Sequence, residues 1–180
     1  MVATLTTDEK GKAETEALYL GKYVIKETKA PEGYLLNPKE FEVTLAYKDQ
    51  TTEIVYGDVT VPDQPAKGKI RITKTDAETN KPIPLGAEFT VTAAEDITTP
   101  DGTVRAEKGT VVATLTTDDK GQASVNGLYL GKYYVKEITP PTGYLADTEE
   151  HDLVCSYEGD MTAEVKRECT SSCLLYTSPS

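Results

Sequence analysis

VATLTTD occupies residues 2–8 of the chain and returns unchanged at residues 112–118. The two copies continue in register, since 22 of the 35 positions are identical between residues 1–35 and 111–145 without a gap. Self-similarity at a fixed distance is typical of tandem arrays, and the distance from Val2 to Val112 is about the length of one small domain. The sequence therefore predicts two tandem repeats, of which the first begins in its middle.

The period divides the chain of 180 residues into three parts. Residues 1–65 correspond to the C-terminal half of one repeat, and residues 66–172 correspond to a nearly complete second repeat. The last eight residues, CLLYTSPS, resemble a translated sequencing adapter. We therefore interpret residues 173–180 as an artefact and leave the origin of residues 167–172 open.

Apolar residues alternate with a period of two, and clusters such as TTDEKG, VPDQPAKG and PPTGY separate the alternating segments. This pattern predicts an all-β sandwich of the immunoglobulin-like kind. With no Trp and two Phe, we expect a core of Val, Ile, Leu and the eleven Tyr. The predicted strands of the second repeat are 68–75, 87–94, 103–106, 110–116, 121–126, 131–138, 149–157 and 161–166.

The net charge of −11 argues against a nucleic acid or an anionic membrane surface as partner. Three cysteines without a C-x-x-C spacing predict neither a disulfide framework nor a zinc site. We expect Cys155 to be a small buried residue and His151 to be a solvated strand residue. No cofactor and no metal ion is expected.

Four ionisable residues continue the apolar face of a strand-like segment. Side chains at i, i+2 and i+4 of a strand point to the same side, so Lys74 follows Ile70 and Ile72 inward. An unpaired charge in such a place costs several kcal/mol, so these residues are expected to pair or to become neutral. The other three are Glu137 after Tyr133 and Val135, Glu27 after Tyr23 and Ile25, and Asp63 after Val59 and Val61.

A buried amine beside buried carboxyl groups has two interpretations. The groups form an ion network, or they react, because removal of water favours the neutral forms of amine and acid. A neutral amine held beside a carboxyl carbon can attack it while a second carboxyl transfers the protons. The product is an amide between two side chains with loss of water.

Several phrases of the second repeat occur together in the order typical of one family. With YVIKETKAPEGYLL and VTVPDQP of the first repeat, they resemble the Cna-B/SpaA-type, prealbumin-like repeats of Gram-positive pilins and collagen-adhesin-like cell-wall proteins, over about residues 1–166. The phrases are ITKTD (72–76), PLGAEFTV (84–91), TTDDKGQA (116–123), LYLGKYYVKE (128–137) and PPTGYL (140–145).

The resemblance implies specific roles for the four ionisable residues. Lys74 would be the nucleophile of an isopeptide bond, Glu137 and Glu27 the assisting acids, and Asp63 the acceptor of the first repeat. The acceptor of the second repeat would lie one repeat period after Asp63, where this chain has Cys173. We therefore expect that neither repeat can close its own crosslink in this chain.

The resemblance also implies a structural stalk or pilin-like module of an extracellular, cell-wall-attached adhesin, with neighbouring repeats of the same parent chain as partners. An alternative is a binding module for host extracellular matrix or a glycan, in which the repeated tyrosines form a platform. An accessory domain of a secreted enzyme ranks last, because no Ser-His-Asp, metal-ligand or paired-carboxylate spacing supports turnover. The crosslinking reaction is at most one autocatalytic event, so we expect no enzyme.

Overall fold

The computed structural model describes residues 1–84 and 86–176, and its regular elements in these ranges are all β-strands. The chain divides into two compact units, one of Met1–Thr28 with Asn37–Pro62 and one of Lys29–Leu36 with the chain from Asp63 onward. In chain order the strands are β1 (Gly21–Lys26), β2 (Tyr34–Leu35), β3 (Glu40–Leu45), β4 (Gln64–Pro65), β5 (Lys67–Asp76), β6 (Glu88–Ala93), β7 (Ile97–Thr98), β8 (Val104–Ala106), β9 (Val111–Thr116), β10 (Gln122–Tyr129), β11 (Gly131–Thr139), β12 (Glu150–Cys155) and β13 (Glu164–Cys173).

The first unit contains one antiparallel pair, β1 with β3. Ile25, which the alternation predicts to face a core, is 38% exposed. The inward prediction for Ile25 is wrong because the first unit has the single sheet of β1 and β3, and no second sheet of that unit covers this face. The segment 54–63 forms no strand before Gln64.

The second unit is a sandwich of two sheets with two small ribbons of two strands each. One sheet has the order β10-β5-β13, in which β5 pairs antiparallel with β10 and parallel with β13. The other sheet has the order β12-β11-β6-β9 and is antiparallel throughout. The strands β7 and β8 form one ribbon, and β2 and β4 form the other. The predicted all-β fold class is confirmed.

The inner faces of these two sheets form the core of the second unit. Ile70 and Ile72 of β5 are fully buried, as are Phe89 and Val91 of β6. Burial of each such side chain contributes about 1.5–3 kcal/mol to the free energy of unfolding. Among the described residues one tyrosine, Tyr133, is fully buried, so tyrosine supplies less of the core than its abundance suggests.

The last strand is longer than the sequence pattern predicts. β13 runs to Cys173 rather than ending at residue 166, because its inward positions continue to alternate and stay paired with β5. Cys169, Ser171 and Cys173 are all buried, as is Cys155 of β12. The extension brings the end of β13 beside Lys74. Among the described residues, no helix has the length and apolar character needed to cross a membrane.

Candidate functional site

Lys74 lies near the C-terminal end of β5, on the same face as Ile70 and Ile72, and all three are fully buried. Its backbone belongs to the ladder between β5 and β13, which fixes its direction into the core. The Nζ atom lies 5.8 Å from the centroid of the Phe89 ring, within the range of a cation–π contact. The local pattern of the strand therefore carries an amine into an apolar interior.

Glu137 of β11 faces Lys74 from the opposite sheet. Its Oε1 atom lies 2.8 Å from Lys74 Nζ, and neither side chain is exposed. The Oε2 atom accepts a hydrogen bond of 2.6 Å from the backbone N–H of Asp147. The Oε1 atom is buried, and its partner is the Lys74 amine of the ion pair. The pair is thus desolvated and joins the two sheets.

A polar chain continues from this pair toward solvent. Lys74 Nζ donates to Ser171 Oγ at 3.1 Å, and Ser171 Oγ donates to Asp147 Oδ2 at 2.7 Å. His151 Nε2 lies 2.8 Å from the same Asp147 oxygen, so His151 is a half-buried partner rather than a solvated residue. Burial alone would raise the pKa of Asp147, but the hydrogen bonds from Ser171 and His151 hold that pKa below its ordinary value.

Ser171 and Asp147 are site residues that the sequence analysis did not identify. Ser171 lies directly opposite Lys74 in the parallel ladder, a register that cannot be read from the sequence of either strand alone. The repeat alignment places Asp147 at the position of Asn37, so both repeats have a small polar side chain there. This correspondence could have identified Asp147 from the sequence. Ser171 contacts the Lys74 amine and Asp147 contacts the Glu137 carboxylate, so both residues add polar contacts to the buried ion pair.

Cys173 is the next inward residue of β13 after Ser171 and lies opposite Asp76. It is 3% exposed. Burial raises the pKa of the Cys173 thiol, and the nearby Lys74 side chain opposes that rise. Two side chains of the last strand, those of Ser171 and Cys173, therefore lie beside the lysine amine.

The two predicted residues of the first repeat lie in different units. Glu27, in the first unit, accepts a hydrogen bond of 2.7 Å from the backbone N–H of Asn37. This contact repeats the one between Glu137 and Asp147, so each glutamate holds the backbone ten residues later. Asp63 is half-buried in the second unit. The roles assigned to Glu27, Asp63, Lys74 and Glu137 stay predictions.

The described residues contain no cluster of three or more His, Cys, Asp or Glu side chains placed to hold a metal ion. The arrangement around Lys74 instead offers a buried amine, a buried carboxylate and two small side chains of an adjacent strand.

Comparison with solved structures finds the Bacillus anthracis TIE protein, with a TM-score of 0.63 and 28% sequence identity over 93% of this chain. The chain spans 28% of the length of that protein. The shaft pilin spaA from Lactobacillus rhamnosus GG matches at a TM-score of 0.46 and 20% identity, over 98% of this chain and 71% of the pilin. BcpA, the major pilin subunit of Bacillus cereus, matches at 0.41 and 24%, over 59% and 28% of the two chains.

Comparison with curated proteins gives no match. Comparison with protein families gives a match to the SpaA prealbumin-like fold domain, over residues 1–60 and again over residues 68–168. These two ranges cover most of the chain. The chain therefore belongs to the family of SpaA prealbumin-like fold domains.

Proposed function

We propose that the chain is a structural module from the stalk of a bacterial cell-surface protein. In a complete repeat, an amide would join the lysine of the first strand to an Asp or Asn of the last strand. The observation that carries this proposal is the ion pair of 2.8 Å between Lys74 and Glu137, fully buried beside the last strand. The pilin-like or adhesin-like parent would be extracellular and attached to the cell wall.

The chemistry requires an acceptor carbon near Lys74 Nζ. The neutral amine would attack the side-chain carbonyl carbon of an Asp or Asn, and an N–C bond would form while water or ammonia leaves. Protonated Glu137 would give its proton to the carbonyl oxygen as the N–C bond forms, take a proton from the nitrogen and pass it to the departing hydroxyl or amino group. It would then recover its own proton from the carbonyl oxygen as the C=O bond re-forms, so that water or ammonia is the only product besides the amide. Here the last strand offers Ser171 and Cys173, neither of which has such a carbon.

The parallel pairing of β5 and β13 gives the amide a mechanical role. The chain enters the sandwich through β5 and leaves through β13, so pulling on the two ends shears the ladder between these strands. An amide from Lys74 to the end of β13 would carry the tension through covalent bonds and leave the rest of the sandwich unloaded. This is a property suited to a stalk that holds a distal part away from the cell.

The test restores an acceptor at each candidate position. Cys173→Asp and Ser171→Asp are prepared separately, and the mass of each intact, folded protein is measured. If the repeat alignment gives the correct position, the Cys173→Asp protein loses the mass of one water molecule. Because Ser171 directly contacts Lys74 Nζ, the Ser171→Asp protein tests the neighbouring inward position.

Three controls define the result. Lys74→Met in the Cys173→Asp background must abolish the mass loss, and Glu137→Gln must slow it strongly. Cys173→Asn must lose the mass of ammonia instead of water. An unchanged mass in both folded acceptor variants, after prolonged incubation, would refute the crosslinking role.

A further inference from the structure

The segment Lys29–Leu36, which contains the first P-x-G-Y-L phrase, belongs to the second unit. The Leu36 N–H donates to the Asp160 carbonyl at 2.9 Å, and the Tyr157 hydroxyl donates to the Tyr34 carbonyl at 3.3 Å. The Ala30 N–H lies 3.4 Å from Asp160 Oδ2. These contacts hold the outer side of the segment against the loop at Tyr157–Asp160.

Gly33 gives the segment a close fit at a second place. Its φ of +87° is in the left-handed region, and a Cβ atom there would lie 2.6 Å from Cγ of Pro100. Only a glycine satisfies both the backbone conformation and this contact. The segment therefore seats on two loops of the second unit, one around Pro100 and one around Asp160.

The second P-x-G-Y-L phrase, at residues 141–145, has the same internal conformation. The Tyr144 N–H donates to the Pro141 carbonyl at 3.0 Å, as the Tyr34 N–H does to the Pro31 carbonyl at 3.1 Å. The φ of Gly143 is +88°. The backbone N–H of Tyr176 donates to the Gly143 carbonyl at 2.8 Å, as the backbone N–H of Ala66 does to the Gly33 carbonyl at 2.9 Å. The two P-x-G-Y-L segments therefore have the same backbone conformation and the same internal hydrogen bonds.

Their outer sides differ. A Cβ atom at Gly143 would meet nothing within 4 Å, and Leu145 is 47% exposed. Within the residues that the structure describes, the Ala146 N–H, the counterpart of the Leu36 N–H, donates to no acceptor. Counterparts of Pro100, Tyr157 and Asp160 would lie one repeat period further on, past the end of this sequence.

We propose that residues 139–146 form a docking surface for a further repeat of this kind that follows the second one. That repeat would place its counterparts of Pro100 and Asp160 against Gly143 and the Ala146 N–H. The proposal rests on the stalk role proposed above, but it does not depend on the crosslink. One contact would differ, since Pro140 stands at the position of Ala30 and has no N–H to donate.

The test compares the chain as it stands with a longer chain in which Tyr176 is followed by a second copy of residues 67–176. Hydrogen exchange of the Ala146 amide is measured in both, with the Leu36 amide as an internal reference. Docking should slow Ala146 exchange by at least roughly tenfold in the longer chain, because an accessible amide becomes a bonded one. Equal exchange rates would overturn the proposal.

A glycine pair supplies a matched control. Gly143→Ala introduces the same backbone strain in both chains, so a contact with Pro100 of the added copy should lower the melting temperature more in the longer chain. Gly33→Ala, which meets Pro100 in the existing chain, gives the size of shift to expect. Equal shifts for Gly143→Ala in the two chains would contradict docking.

Folding of the added copy is followed through the amides that correspond to Val91 and Val135. An added copy that fails to fold in this position also counts against the proposal, because residues 139–146 then do not support a following repeat. Failure here leaves the mass measurements unaffected, so it is separable from failure of the crosslinking role.

Discussion

Glu137→Gln tests how much of the stability of the second unit depends on the buried ion pair. The amide side chain has nearly the same shape and can still accept the hydrogen bond from the Asp147 N–H. It removes the negative charge that lies 2.8 Å from Lys74 Nζ, at a place where neither side chain is exposed. The substitution therefore isolates the charge from the packing.

The expected loss is large because the amine is left in the core without its ion-pair partner, beside the uncharged side chains of Ser171 and the introduced glutamine. Removing one member of a buried ion pair costs about 3–5 kcal/mol, far above the effect of a surface pair. For a urea dependence of about 2 kcal/mol per M, the unfolding midpoint of the second unit should fall by about 2 M.

The measurement is hydrogen exchange of core amides in β6 and β11 as urea is increased, since these amides report on the second unit alone. Glu27→Gln is the matched control, and its effect is read through the paired amides of β1 and β3 because Glu27 lies in the first unit. Glu27 accepts a hydrogen bond from the Asn37 N–H as Glu137 does from the Asp147 N–H, but among the described residues Glu27 forms no ion pair. It should cost less than about 0.5 kcal/mol. A loss below about 1 kcal/mol for Glu137→Gln would refute the reasoning.

Three further predictions concern the same unit. The double variant Lys74→Met with Glu137→Leu should be more stable than either single variant, because it removes both charges and leaves none unpaired. Urea unfolding measures the three free energies of unfolding, and a double-variant loss equal to the sum of the two single losses would contradict the prediction. Because the pKa of Asp147 is held below its ordinary value, the unfolded chain takes up this proton at a higher pH than the folded chain. Stability should therefore fall as the pH drops below about 4, and Asp147→Asn should flatten that fall in thermal melts at several pH values; an unchanged slope would exclude this role. Burial raises the pKa of all three cysteine thiols, that of Cys169 to about 11. A thiol reagent at pH near 8 should therefore modify the folded chain far more slowly than the urea-unfolded chain. Equally fast labelling of the folded chain would contradict this prediction.

The inward direction of Lys74 and of Glu137 could be predicted from alternation, because each ends a run of apolar residues on one strand. Their closeness could not, since β5 and β11 lie in different sheets and meet only across the core. Ser171 was missed for a related reason: its place opposite Lys74 depends on a parallel register between strands 97 residues apart.

The alternation of apolar residues gave a wrong prediction where no second layer covers the strand. Ile25 has the pattern of an inward residue but lies exposed, since a strand face is buried only when another layer covers it. The composition misled about tyrosine as well, because counting aromatic residues does not tell which of them point between the sheets. Tyr133 does so at an inward position of β11, whereas Tyr19 is 93% exposed.

The position of β5 in the middle of its sheet has a consequence for how the repeat is made. β5 is the first strand of the sandwich to leave the ribosome, and its parallel neighbour β13 is the last. The edge of β5 that pairs with β13 therefore stays unpaired until β13 has been synthesised. Ser171, which pairs with Lys74, follows it by 97 residues. Contacts between such distant parts of a chain form slowly, because the long loop between them must first close. Folding of the sandwich should thus be a late, all-or-none event, and Lys74 should stay in water until the final strand arrives.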